Sequence, residues 1–265
     1  MSSPFLDAFT FLSDRTDLVL HDLYTHLEIS AEAVAIALVI GLPLGVFLGH
    51  IHRFSFLAIN ISNLGRALPS LALLAIFLPI VGIGKTDVLI ALTVLAFPPI
   101  LTNAYVAIDQ VDADTVDAAN GLGLSPIQVL FKVELPMALP LIFAGIRTSS
   151  VFVVATATLS GIFGGGGLGD IINNQESYRL RGVIAASYVL IVLAFLVQLL
   201  FIGLELLVTP AGLRVARTPR GMRRARPATE PSALFTADGG GEEEGAPSED
   251  ALTTVGDHLY TGRDS

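Results

Sequence analysis

Apolar residues run in long blocks along this chain, separated by short polar stretches. Five blocks, 29–49, 56–81, 88–108, 135–162 and 183–208, are each about as long as the roughly 20 residues a helix needs to cross a bilayer. Backbone groups in hydrocarbon have no water to bond, so blocks of this kind predict helices. The second and fourth are interrupted by Asn60, Asn63, Arg66 and Pro69, and by Arg147, Thr148 and Ser149. At least one face of each therefore looks into protein or water, which is the pattern of a bundle.

Composition supports a membrane domain and isolates one exception. The 265 residues are 52% hydrophobic and 15% charged, with a mean hydropathy of +0.70. A soluble domain carries about a quarter of its residues as charges, so this chain lacks the material for a water-facing shell. The net charge of −9 is misleading, because residues 228–265 hold nine acids against the single base Arg263. That stretch is rich in Pro, Gly, Glu and Ser, the composition of disorder. The chain thus divides into an N-terminal segment, 1–28, a membrane domain, 29–212, and a basic then acidic tail, 213–265. With no cysteine, disulfides, thiolate metal sites and cysteine nucleophiles are excluded. No basic cluster precedes Arg15 and no cleavage site follows a short apolar run, so a cleaved leader is not expected.

Six arginines, at 214, 217, 220, 223, 224 and 226, follow the last block directly. Positive charge favours the cytoplasmic side, so that end is expected inside and, with five crossings, the N-terminus outside. The long polar connection 109–134 then faces the cytoplasm. Within it, Asp114 and Asp117 are spaced as an acidic variant of a capping box, and a first short helix is expected to run to Leu122. Gly123 suits a turn of positive φ, and Ser125 followed by Pro126 marks the start of a second helix, 126–132.

This connection resembles the cytoplasmic signature of permease subunits of bacterial ATP-binding cassette importers. The signature runs Glu-Ala-Ala, three residues, Gly, nine residues, Ile, one residue, Leu-Pro. Here Asp117, Ala118, Ala119, Gly123, Val133, Leu135 and Pro136 fall at those spacings, with Asp117 for Glu and Val133 for Ile. The resemblance implies an all-α, five-span type I importer transmembrane domain whose loop forms coupling helices that dock on an ATPase subunit. Small residues at 118 and 119 permit close docking, and Asp117 offers a carboxylate. Two further stretches, Pro69 to Leu74 and Gly166 to Asp170, resemble permeases for glycine betaine, carnitine and choline. Methionine-importer permeases share the coupling signature and a glycine-rich outer loop.

The resemblance implies ATPase subunits, a second permease, an extracytoplasmic binding protein and the lipid bilayer as partners. It implies no cofactor on this chain, with ATP and magnesium used by the ATPase, and no nucleic acid. Ionisable groups within spans are costly, which makes Arg66 and Arg147, with Pro69, Ser70 and Thr148 beside them, candidates for the pathway or a subunit interface. Snorkelling to a headgroup or anchoring of a kinked helix is the plainer account of each arginine. Gly166, Gly167 and Gly169 are outer-gate candidates, although a close-packing turn accounts for the same glycines; no Gly-Lys-Ser/Thr follows them, which argues against a phosphate cradle. Histidines 50 and 52 read as a membrane boundary. Aromatic faces attract quaternary ammonium groups, yet the chain has no Trp and five scattered tyrosines. That places tight recognition in another protein. An intramembrane enzyme lacks a convergent nucleophile, base or metal set here, and a stand-alone carrier leaves the coupling signature unexplained.

Overall fold

The computed structural model describes residues 4–52, 56, 60 and 69–208. Among them every regular element is a helix: α1 (Pro4–Asp14), α2 (Thr16–His50), α3 (Ser70–Val81), α4 (Lys85–Asp109), α5 (Ala113–Gly121), α6 (Pro126–Val129), α7 (Leu135–Thr156), α8 (Leu168–Asn173) and α9 (Gln175–Val208). A π turn, Leu130–Glu134, joins α6 to α7, and a 3₁₀ segment, Ala157–Ile162, extends α7. Among the described residues four stretches are long and apolar enough to cross a membrane: Thr16–His50, Lys85–Asp109, Pro126–Ile162 and Gln175–Val208. The described end of the second apolar block is the shorter helix α3.

Two boundaries differ from those expected. The block starting at residue 29 is the inner part of a helix that begins at Thr16, so most of segment 1–28 is helical. Asp17, His21, Asp22 and Glu28 hide this extension from a hydropathy reading, but Asp22 and His26 lie on its buried face. The block starting at 183 is preceded in α9 by a single turn, broken at Arg179 where φ is 60° and ψ is 174°. Asn174 Oδ1 accepts the Ser177 N–H at 3.2 Å to start that turn.

Small residues set how closely the helices approach. Ala33, Ala37, Gly41, Gly45 and Gly49 recur every four positions on α2, and all are buried. A methyl carbon on Gly45 would sit 2.5 Å from the Leu101 carbonyl oxygen, and one on Gly49 would sit 2.8 Å from that of Tyr105. The backbones of α2 and α4 therefore touch, as small residues allow between helices in lipid, where dispersion replaces the hydrophobic drive. Contacts of Lys85 with Glu28 and of Gly49 with Ile108 show that α2 and α4 run parallel. Helix α7 packs antiparallel to α4: a methyl on Gly145 would lie 2.4 Å from Asn103 Cβ, and Ser149 Oγ donates to the Ala96 carbonyl at 2.9 Å. At the far end, Phe11 of α1 meets Tyr178 edge-on and Phe9 meets Tyr188, seating α1 on α9.

Candidate functional site

The connection after α4 folds as a helix, turn and helix. Asp112 caps α5, its Oδ2 accepting from the Thr115 N–H at 3.2 Å and the Thr115 hydroxyl at 2.7 Å. The expected cap at Asp114 is thus two residues late. An Asp with Thr three residues on satisfies the first-turn donors as well as an acidic pair does, without placing like charges together. The Gly123 N–H donates to the Asn120 carbonyl and the Leu124 N–H to that of Ala119, at 2.9 and 3.3 Å. This is a Schellman closure, and it requires the left-handed residue that Gly123 supplies at φ 83°. Ser125 precedes Pro126, and the Ser125 N–H donates to Gln128 Oε1 at 2.9 Å.

The second helix does not stop before Pro136, as the expected range 126–132 implied. It continues through the π turn into α7, the Leu135 N–H bonding the Leu130 carbonyl five residues back. Pro136 has no N–H and its ring crowds the preceding turn, so a widened turn ahead of it keeps the helix intact. The buried face steps by four along α7, through Glu134, Ala138, Ile142 and Ile146, but by five from Val129 to Glu134. The π turn thereby brings Glu134 onto the packing face. Its Oε2 lies 2.7 Å from His50 Nδ1 at the end of α2, and Asp109 Oδ1 lies 3.0 Å from His52 Nδ1.

Asp117 and Ala118 are exposed on α5. Ala119 is buried, on a helix that packs against α6 and the π turn. Val133, Leu135 and Pro136 are partly covered. Leu122, Ile127 and Phe131, which the spacing did not single out, are strongly exposed around Asp117 and Ala118 in the chain.

The remaining candidates fall elsewhere. Arg147 Nη1 donates to Glu205 Oε2 at 3.1 Å, joining α7 to α9. Thr148 is exposed and its hydroxyl bonds the Ala144 carbonyl within its own helix. Pro69 caps α3 and Ser70 opens it, while Arg66 lies outside the described residues. Gly166 and Gly167 have φ of 80° and 85°, and a methyl on Gly167 would sit 3.1 Å from His26. One on Gly169 would sit 2.3 Å from the Thr158 carbonyl oxygen. Gly169 is thus required by packing, and Gly166 and Gly167 by their left-handed backbone. His26 Nε2–H donates to the Val154 carbonyl at 2.9 Å beside this turn, and burial raises the Asp170 carboxyl above its ordinary range. Among the described residues no group of three or more His, Cys, Asp or Glu is arranged to hold a metal ion.

A parallel helix pair, an antiparallel third helix and a capped helix–turn–helix leading into that third helix define a helical membrane domain. Residues 41–210 match the family model described as "Binding-protein-dependent transport system inner membrane component", and the chain belongs to that family. It is 36% identical over 205 residues to the choline transport system permease protein OpuBB of Bacillus subtilis (strain 168), covering 77% of this chain and 94% of that protein. It is 34% identical to the carnitine transport permease protein OpuCB of Listeria monocytogenes, covering 78% and 96%. Among solved structures it is similar to a chain of the MetNI methionine ABC transporter in inward-facing conformations, with a TM-score of 0.65 and 27% identity, covering 73% of this chain and 97% of that one. The chain is therefore an all-α transport permease of the type I importer class.

Proposed function

We propose that this chain is the permease subunit of an ATP-driven importer for small quaternary ammonium solutes such as choline, glycine betaine or carnitine. The segment from Asp117 to Pro136 couples it to ATPase subunits, which bind and hydrolyse ATP with magnesium. A second permease completes the path and an extracytoplasmic protein delivers the solute. The carrying observation is the capped turn of α5 and α6, which exposes Asp117, Ala118, Leu122, Ile127 and Phe131 at one end of the bundle. Apolar side chains this exposed outside a lipid-facing span mark a docking surface. Relatives named for choline and carnitine transport support the substrate class. Tyr178 and Tyr188 support recognition by a separate protein, because their rings pack on Phe11 and Phe9 instead of forming a cation cage.

The parallel course of α2 and α4 supports five crossings. His50 ends level with the end of α4, and Lys85 begins level with Glu28 and Glu32, so the two points that residues 51–84 join lie at opposite ends of the helix pair. With the arginine cluster inside, the N-terminus is outside and α5 faces the cytoplasm. Arg147 with Thr148, Pro69 with Ser70, and Arg66 remain candidates for the path or the permease–permease interface, and Gly166, Gly167 and Gly169 for the outer gate. The test is uptake of labelled choline, glycine betaine, carnitine and methionine by the complete complex in proteoliposomes. Saturable, ATP-dependent uptake of a quaternary ammonium solute supports the reading. Uptake of methionine alone would assign the chain to the methionine class of the structurally similar transporter.

A further inference from the structure

The loop 109–134 leaves α4 at Asp109 and ends at Glu134, the last residue of the π turn, and both of these carboxylates meet histidines from the same helix end. His50 and His52 stand two residues apart at the C-terminus of α2. We propose that these two histidines clamp both ends of the coupling loop to α2, with Glu134 and His50 the positioning pair that passes displacement of the loop into the membrane helices.

Four observations carry this. Glu134 is 2% exposed, and a carboxylate so buried is held in place by its hydrogen-bonded partner. The π turn that interrupts an otherwise regular helix brings Glu134 onto the face toward α2, and such single wide turns often mark functional positions. His52 adopts φ 49°, a left-handed backbone unfavourable for a residue with a Cβ, and there its ring reaches Asp109. Finally, Gly45 and Gly49 press α2 onto α4 at backbone contact just before the clamp, so α2 and α4 move as one body. A displacement of α5 and α6 then cannot be absorbed at the loop ends. The two arms are unequal: His52 and Asp109 are 52% and 36% exposed, where ion pairs contribute little, so the Glu134 arm dominates.

The inference rests on the importer reading, and the experiment separates the two. The full complex is reconstituted with the double variant His50→Leu/Glu134→Leu, in which apolar side chains fill the site without leaving a lone charge. The ATPase subunit is expected to co-purify as before, while substrate-stimulated ATPase and solute moved per ATP fall about tenfold, the scale of one charge-assisted hydrogen bond. His50→Arg, which keeps a donor facing Glu134, is expected to retain coupling. The exchanged pair His50→Glu/Glu134→His is expected to recover what each of its single substitutions loses. Unchanged coupling in the leucine double variant overturns the clamp. So does an exchanged pair no better than its singles, which decides the matter if the leucine variant fails to assemble. If the unsubstituted chain binds no ATPase subunit, the importer reading fails, and the clamp with it.

Discussion

Arg147 and Glu205 face each other across α7 and α9, Nη1 to Oε2 at 3.1 Å, with side chains 27% and 11% exposed. In a helix that crosses lipid each charge alone is expensive, and a partner in another helix relieves both. The pair therefore fastens α9, whose surface is otherwise largely exposed, onto the bundle. Arg147→Met removes the cross-helix partner of the largely buried Glu205 carboxylate, a loss on the order of 3 kcal/mol by the behaviour of broken buried pairs. Arg147→Met/Glu205→Leu is expected to recover most of that stability. Thermal unfolding of the purified protein in detergent, run as a double-mutant cycle, reads the difference. If the double variant also keeps full transport, Arg147 is a structural anchor and not part of the path.

The small-residue stripe of α2 makes the second prediction. Gly45→Val puts a branched side chain where even a methyl carbon would lie 2.5 Å from the Leu101 carbonyl and 2.8 Å from Ala104 Cβ. Backbone cannot yield as a flexible side chain can, so the cost is at least the roughly 1–3 kcal/mol of overpacking. Gly203→Ala on α9 meets nothing within 4 Å and is the control. Yield of monodisperse protein and melting temperature are expected to collapse for the first and hold for the second.

How far the chain could be read before its structure was known follows from the range of each interaction. Helices α4 and α7 announce themselves because hydropathy is a local property. The turn at Gly123 was legible because capping chemistry sits within a few residues of the backbone it satisfies. Local spacing still misleads at the start of α5: Asp114 and Asp117 have the spacing of a capping box, yet Asp112, two residues earlier, makes the bonds. The N-terminal turns of α2 were hidden by Asp17, His21 and Asp22; Asp17 and His21 stay exposed, and the burial of Asp22 against other elements is something no window of sequence reports. The π turn left no sign beyond Pro136. The pairs His50–Glu134 and Arg147–Glu205 join residues 84 and 58 positions apart, so only the fold brings them together. Arg66 lies outside the described residues.

Adjacent alanines in the coupling signature are expected to respond differently, which is the third prediction. Ala118 is exposed, so Ala118→Trp leaves α5 folded and obstructs a docking partner. Ala119 is the buried residue of α5, so Ala119→Trp is expected to displace α5 from α6 and the π turn. Limited proteolysis of the loop in the isolated permease distinguishes them. The Ala118 variant should be cleaved like the unsubstituted protein yet bind the ATPase subunit poorly, and the Ala119 variant should be cleaved faster. Equal protease sensitivity would show that burial of Ala119 does not hold the loop together.

Gly123 separates backbone from side-chain requirements. Nothing lies within 4 Å of where its Cβ would be, so the cost of a substitution there is conformational alone. At φ 83°, Gly123→Ala forces the Schellman closure to open or accept a left-handed alanine, about 1 kcal/mol of local strain. Gly123→Asn tolerates that region better and is expected to lose less, whereas Gly123→Pro, fixed near φ −65°, cannot close the turn at all. Substrate-stimulated ATPase in the reconstituted complex should fall in the order Gly, Asn, Ala, Pro, while the spans remain inserted. A series ranked by side-chain volume, with Asn worse than Ala, would mean that a partner packs against this turn and that space, not φ, is what the glycine provides.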